Sequence, residues 1–282
     1  MIRLNSVQRW SLFVALVLWA IIVIFPLYWM VTTTFKLRAD IYAGPALIPW
    51  VDFVPTLEHW ARVVARYQQV TRAMANSAVA GLASAAAATF IGGMAGYGLT
   101  RFQYKLGFLR NRDIAFWILS NRVLPPIVLV LPIFIMFRTA GLVDSRAGLA
   151  IVYTMFNLPI AAWLMLEYFK QIPIDLDESA KVDGATYMQI LTRIALPLAR
   201  PGIIATFLVC LMFAWNEFIY ALILTFSRAQ TLPLVVAGQA TQHGPQWWDI
   251  AVMATITIAP LLLVTILLGN RLIAGLTAGW GQ

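Results

Sequence analysis

Charged side chains are scarce in this sequence: Asp, Glu, Lys and Arg make up 11% of its 282 residues, where a soluble domain carries about 25%. That shortage excludes an ordinary water-soluble domain. Cysteine occurs once, at Cys210 inside an apolar run, so no internal disulfide can form and the redox compartment is not readable. The two histidines, His59 and His243, stand far apart without ligand-like neighbours, so no metal site is expected. No G-x-x-x-x-G-K-S/T stretch occurs, so a phosphate-cradling loop is not expected in this chain. The run "GGMAGYG" lacks the order of a dinucleotide fingerprint and lies inside an apolar segment. No nucleophile–base constellation is present, which argues against a membrane-embedded enzyme.

What is abundant is apolar surface. Hydrophobic residues make up 61% of the chain, and six runs reach the roughly 20 residues that a helix needs to cross a bilayer. They lie at 11–33, 74–98, 113–137, 147–168, 202–226 and 249–273. The fold class expected is all-α, a single polytopic membrane domain of six helices with both termini on one side. The first run is too long for a signal-peptide core and reads as a retained helix. With the N-terminus inside, 11 Lys and Arg fall on inner segments and 8 on outer ones, a shallow bias toward that topology. The net charge of +8 is spread over short loops, which suits membrane orientation and gives no case for nucleic acid. Gly92 and Gly96 form a small-xxx-small pair through which another helix can approach closely.

One polar stretch interrupts the apolar pattern: "DESAKVDGATYMQILTRIALPLARPG", residues 177–202. Asp175 can cap a helix from Leu176, with Glu178 as reciprocal partner. Gly184 can end that helix in a left-handed conformation. Thr186 and Gln189 form a second capping box. Tyr187, Ile190, Leu191 and Ile194 then share one helical face, and Pro197 stops the helix. The result is helix–glycine turn–helix with one apolar stripe. Periodicity alone leaves two readings open: docking into a groove on another protein, or an amphipathic helix lying on lipid.

The spacing adds a resemblance. Glu178, Ser179 and Ala180, then three residues ending at Asp183, Gly184, nine more residues, and Ile194-x-Leu196-Pro197 resemble the cytoplasmic "EAA" loop of ABC importer permeases. Ser179 stands where that pattern has alanine. The likeness extends along nearly the whole chain. "TTTFKLRADIYAGPALIPW" resembles the start of the first periplasmic loop of carbohydrate permeases of the maltose-importer inner-subunit type. "FAWNEFIYALIL", "TLP" and "GLTAG" resemble that group's fifth span, last periplasmic loop and tail. The tail departs from the pattern at Trp280, Gly281 and Gln282.

The resemblance implies a non-enzymatic membrane subunit of an ATP-driven, binding-protein-dependent carbohydrate importer in a bacterial inner membrane, with cytoplasmic termini. It implies a second permease subunit, two ATP-binding subunits that hold ATP and Mg, and an extracytoplasmic solute-binding protein as partners. No cofactor is expected in this chain. Glu178, Ser179, Ala180, Asp183, Gly184, Ile194, Leu196 and Pro197 would couple to the ATPase.

Polar residues at membrane depth form a second group of candidates: Asn121 and Arg122 in the third run, Asn157 in the fourth, Asn216 and Glu217 in the fifth. Such groups face a bundle interior or a wet path. They could line a sugar pathway, with Trp215, Tyr220 or Tyr153 offering flat faces, or they could only bond helices together. A stand-alone secondary transporter or channel with an Arg122/Glu217 relay is the alternative function. Depth argues against a direct Arg122–Glu217 pair, because the two sit at different heights on their spans.

Overall fold

The computed structural model describes residues 5–107, 109–241 and 244–277, and it is almost entirely helical. In chain order the helices are α1 Ser6–Thr33, α2 Arg38–Ala43, α3 Glu58–Ala65, α4 Tyr67–Arg101, α5 Asn111–Ser120, α6 Pro126–Thr139, α7 Arg146–Lys170 and α8 Asp175–Val182. Then come α9 Tyr187–Ile190, α10 Leu196–Leu198, α11 Arg200–Trp215, α12 Ile219–Leu224, α13 Leu232–Ala237 and α14 Trp247–Thr277. Besides an isolated bridge between Pro49 and Phe53, two short antiparallel strand pairs occur among the described residues: Lys105–Leu106 with Leu109–Arg110, and Ala240–Thr241 with Gly244–Pro245.

Among the described residues, four helices are long and apolar enough to cross a membrane: Ser6–Thr33, Gln68–Arg101, Arg146–Lys170 and Trp247–Leu268. The remaining two expected spans are not straight helices. The third, expected at 113–137, breaks at residues 121–125 into α5 and α6 with a bend of 90°. Pro125 and Pro126 cause it: Pro125 has φ −64° and ψ 133°, an extended conformation that no helix continues through. The fifth, expected at 202–226, stops at Trp215 and resumes at Ile219 as α12. Tyr187–Leu198 and Arg200–Trp215 meet at 73°.

The described residues fall into two compact units, 5–70 with 236–259 and 71–235 with 260–277. In the first unit His59 is fully buried; its Nε2 lies 2.8 Å from the carbonyl of Lys36, and its ring stacks on Trp248 at 6.0 Å. The Lys36 ammonium sits 4.1 Å from the Trp29 ring centre. Burial lowers the Lys36 pKa from its ordinary value, against the raising effect of Asp40 and Asp52. His243 lies outside the described residues.

In the second unit α7 is the central helix. Its buried face, from Leu149 and Val152 to Met165 and Phe169, packs against α4, α6, α11 and α12. The loop before α7 is fastened by Asp144, whose carboxylate accepts the backbone N–H groups of Phe226, Ser227, Arg228 and Ala229 at 3.0–3.3 Å. Partial burial pushes its carboxyl up, but these four donors outweigh that and hold it well below the usual carboxylate range.

α4 meets α7 where α4 has no side chains. A Cβ on Gly92 would lie 2.7 Å from Ala161, and one on Gly96 would lie 2.6 Å from the Leu166 nitrogen. The expected close helix approach through Gly92 and Gly96 is thus made, backbone to backbone. Gly93 points elsewhere; a Cβ there would meet only the end of Met165, at 4.0 Å. Gly96→Ala should therefore lower the stability of the detergent-solubilised protein by roughly 1–3 kcal/mol, since a packed backbone cannot yield cheaply. Gly93→Ala should be neutral or stabilising by up to about 1 kcal/mol, since only helix propensity changes. Thermal unfolding of the two variants side by side checks this.

Candidate functional site: the helix–turn–helix at 171–202

The polar stretch forms a short helix, a glycine turn and a second helix that bends into α11. α8 begins one residue earlier than expected. Asp175 is its first residue and caps nothing; Ile174 is the cap, and its carbonyl accepts the N–H groups of Asp177 and Glu178 at 2.9 and 3.1 Å. The turn at Pro173 has already started the helix, so the expected Asp175/Glu178 reciprocal cap does not form. Asp175, Asp177 and Glu178 still lie in the first turn, where carboxylates oppose the helix dipole favourably.

The end of α8 is a Schellman cap. Gly184 N–H donates to the Lys181 carbonyl at 3.0 Å, and Ala185 N–H donates to the Ala180 carbonyl at 2.9 Å. Gly184 has φ +81°, the left-handed conformation that glycine adopts without penalty. The next helix starts as expected: Gln189 N–H donates to Thr186 Oγ1 at 3.3 Å, and Thr186 N–H donates to Gln189 Oε1 at 2.8 Å.

The apolar stripe is displaced. Residues Leu191–Ala195 form a π-helical turn, which accommodates one extra residue per turn. Ile190, Leu191, Ala195 and Ala199 are buried, while Tyr187 is exposed and Ile194 half-buried. The wide turn hands Ile194's expected place to Ala195. Leu191, Ala195 and Ala199 pack with Tyr97 of α4 and with Met165, Phe169 and Ile172. Tyr187 lies against Phe102 at 5.3 Å, with the Lys181 ammonium 4.9 Å above its ring.

Two residues that sequence reasoning missed fasten this segment. Arg101, the last residue of α4, donates from Nε to Asp177 Oδ2 at 2.7 Å and from Nη2 to the Ile172 carbonyl at 2.9 Å. Both side chains are nearly inaccessible, at 7% and 4% exposure. A hydrogen-bonded guanidinium in a buried pair keeps its orientation, because breaking it strands a charge. Seventy-six residues separate the partners, and nothing local in the sequence marks either one.

The opposite face is open. Glu178, Ser179, Asp183, Gly184 and Pro197 are exposed, and Ala180 and Leu196 are half-buried. Val182, at 88% exposure, and Met188 add uncovered apolar surface beside the turn.

The intramembrane candidates do not converge. Asn157 is fully buried and donates to the Cys210 carbonyl at 3.0 Å, tying α7 to α11. Glu217 accepts the N–H groups of Tyr220 and Ala221 at 2.9 and 3.2 Å, so it caps α12 after the break in the fifth span. Asn121 and Asn216 are exposed and bond carbonyls of their own helices, Trp117 and Met212. Arg122 donates to the Phe156 carbonyl at 2.7 Å and lies between the rings of Phe156 and Phe213, at 3.7 and 4.5 Å. Arg122 and Glu217 thus have separate partners. Trp215 and Tyr153 are buried in the packing. A cavity of about 350 Å³ is lined by Asn121, Trp117, Phe156 and Tyr220 among others; of the three flat faces anticipated, only Tyr220 borders it.

A family described as "Binding-protein-dependent transport system inner membrane component" matches residues 88–277. The chain belongs to this family. The permease is 31% identical over 280 residues to the trehalose/maltose transport system permease protein MalG of Thermococcus litoralis, covering 98% of each chain. It is 31% identical over 257 residues to the trehalose transport system permease protein SugB of Mycobacterium tuberculosis, covering 90% of each. Among solved structures, a bacterial ABC transporter involved in import of the acidic polysaccharide alginate matches with a TM-score of 0.71 at 21% identity, over 96% of this chain and 99% of that one. That likeness gives the fold alone, an all-α, multi-pass membrane architecture. The tail at 278–282, where the family likeness weakens, lies outside the described residues.

Removing one member of the buried pair should be costly to the permease. Arg101→Ala should lower stability by roughly 3–5 kcal/mol by stranding Asp177. The double variant Arg101→Met/Asp177→Leu should recover much of that loss, because no charge is then left unpaired. Thermal melts of the purified protein distinguish the two.

Proposed function

We propose that this permease carries carbohydrate inward across a bacterial inner membrane as half of a two-permease pathway, and that residues 175–198 receive the motion of an ATP-binding subunit. In this reading ATP and Mg bind on two partner ATPase subunits, consistent with the lack of a phosphate-cradling sequence here. An extracytoplasmic binding protein delivers cargo, and both termini lie in the cytoplasm. The sugar class rests on relatives named for trehalose, maltose and diacetylchitobiose transport.

One observation carries the coupling role. The α8–Gly184–α9 unit is locked to α4 and α7 on one side by Arg101–Asp177 and the Leu191/Ala195/Ala199 packing, and it is uncovered on the other. An element that is rigidly seated and open on one face transmits a push. A lipid-surface helix needs its apolar stripe facing lipid, whereas this stripe is buried in the chain's own interior. The Arg122/Glu217 relay of a stand-alone transporter draws no support from the geometry, since Glu217 caps α12 while Arg122 bonds a carbonyl of α7.

Substitution at the turn tests the proposal. A Cβ at Gly184 would meet no atom of this chain within 4 Å, so Gly184→Val adds only the left-handed penalty of about 1–2 kcal/mol. Glu178→Lys opposes the helix dipole by about 0.3–1 kcal/mol, too little to unfold anything. Both variants should reach the membrane at normal levels yet lose capture of the ATPase subunit and sugar uptake. Normal pull-down of the ATPase together with normal uptake by both variants would refute the coupling role.

A further inference from the structure

The loop between α1 and α3 turns back along α1. Tyr28 donates its hydroxyl to the Leu47 carbonyl at 2.6 Å, and Tyr28 lies five residues before the end of α1 at Thr33. α1 has 28 residues, hence a length of about 42 Å, against a hydrocarbon thickness of about 30 Å. Tyr28 therefore stands about 13 Å from the middle of α1, inside the hydrocarbon half-thickness of about 15 Å when the helix is centred. With α1 so centred, the Tyr28 hydrogen bond places Leu47 near the boundary between hydrocarbon and headgroups.

The residues after Leu47 are apolar and uncovered. Ile48, Trp50, Val51 and Val54 are each more than half exposed, Trp50 at 80%. Asp52 is the only ionisable residue between Ala46 and Leu57, and its carboxylate is engaged inside the loop, accepting the N–H groups of Leu47 and Ile48 at 2.7 and 2.8 Å. The tip is also fixed in shape. Trp50 N–H donates to the Phe53 carbonyl at 2.8 Å, Asp52 N–H donates to the Ile48 carbonyl at 2.9 Å, and Phe53 is buried. Trp50 has φ +63°, a left-handed conformation that is an outlier for a bulky side chain. The loop thus bears backbone strain while its indole points outward.

We propose that residues 48–54 are a lipid anchor: Trp50 and Val51, flanked by Ile48 and Val54, insert into the phospholipid interface of the leaflet at the C-terminal end of α1. The chemistry that fits is a headgroup region over the first methylenes of an acyl chain. A tip with one exposed indole, and with its single carboxylate, Asp52, bonded back to Leu47 and Ile48, suits both layers: the ring body sits in the apolar part, and the indole N–H and the carboxylate at the wet edge. The anchor would hold the loop, and α2 with it, at a fixed height on the bilayer.

Depth-resolved quenching tests it. The full transport complex, with Cys210 and any partner cysteines replaced, carries a single Val51→Cys or Val54→Cys substitution labelled with an environment-sensitive fluorophore. It is reconstituted into phosphatidylcholine vesicles. Expected is loss of most of the emission when the lipid is brominated near the headgroup, less loss with bromine at the chain end, and little with aqueous iodide. Quenching by iodide without quenching by brominated lipid at both sites would place the tip in water and overturn the proposal. Protection from both quenchers would show that a protein partner covers the tip and would overturn it equally.

Discussion

Inside a bilayer no water is available to satisfy a broken helix, so each interruption must find its hydrogen bonds within protein. This constraint explains where the permease places its few polar side chains. The fifth span breaks at Asn216–Phe218, and Glu217 supplies acceptors for the freed N–H groups of Tyr220 and Ala221. The third span breaks at Pro125, and Arg122 reaches across to the Phe156 carbonyl. Asn157 bonds a carbonyl of α11. The breaks in turn let α5, α6 and α12 wrap around α7, whose small residues Ala161 and Ala162 admit the glycine face of α4. Of the five polar residues that look like a pathway in one dimension, Glu217 caps a broken helix, Arg122 and Asn157 tie neighbouring helices together, and Asn121 and Asn216 bond carbonyls one turn back.

The same constraint shapes the surface segment. α8 and α9 are too short to hold together alone, and their stability comes from what they touch. The Arg101–Asp177 pair, the Schellman turn at Gly184 and the Leu191/Ala195/Ala199 packing fix the unit from behind. Its other side exposes Glu178, Val182, Gly184 and Met188. A π turn at Leu191–Ala195 lets both the buried face and the subsequent bend of 73° into α11 be accommodated without a break in the chain. Movement of the exposed face would pass through this turn to α11 and through Arg101 to α4.

Features written in a few neighbouring residues were legible in the sequence. The Thr186–Gln189 box, the left-handed Gly184 and the Gly92/Gly96 approach come from local backbone chemistry, and the six apolar runs come from length. The features that were not legible depend on residues far apart or on competition between local options. Arg101 and Asp177 meet across 76 positions. Asp175 loses the cap because Pro173 and Ile174 start the helix first. The stripe moves from Ile194 to Ala195 because burial against Tyr97 and Phe169 favours a wider turn over the periodicity of 3.6 residues. Apolar runs also conceal bends: 113–137 reads as one span because periodicity records hydrophobicity, not direction.

Coupling requires that the uncovered face beside Gly184 be a seat for an ATP-binding subunit. The most direct measurement replaces Val182, the most exposed apolar residue of that face, with a photo-crosslinking amino acid in the assembled complex in native membranes. Irradiation should join this chain to the ATP-binding subunit, and the yield should change when the complex is trapped with ATP. Crosslinks to lipid alone, with the ATPase present in the same purified complex, would contradict the coupling role and return residues 175–198 to the status of an interfacial helix.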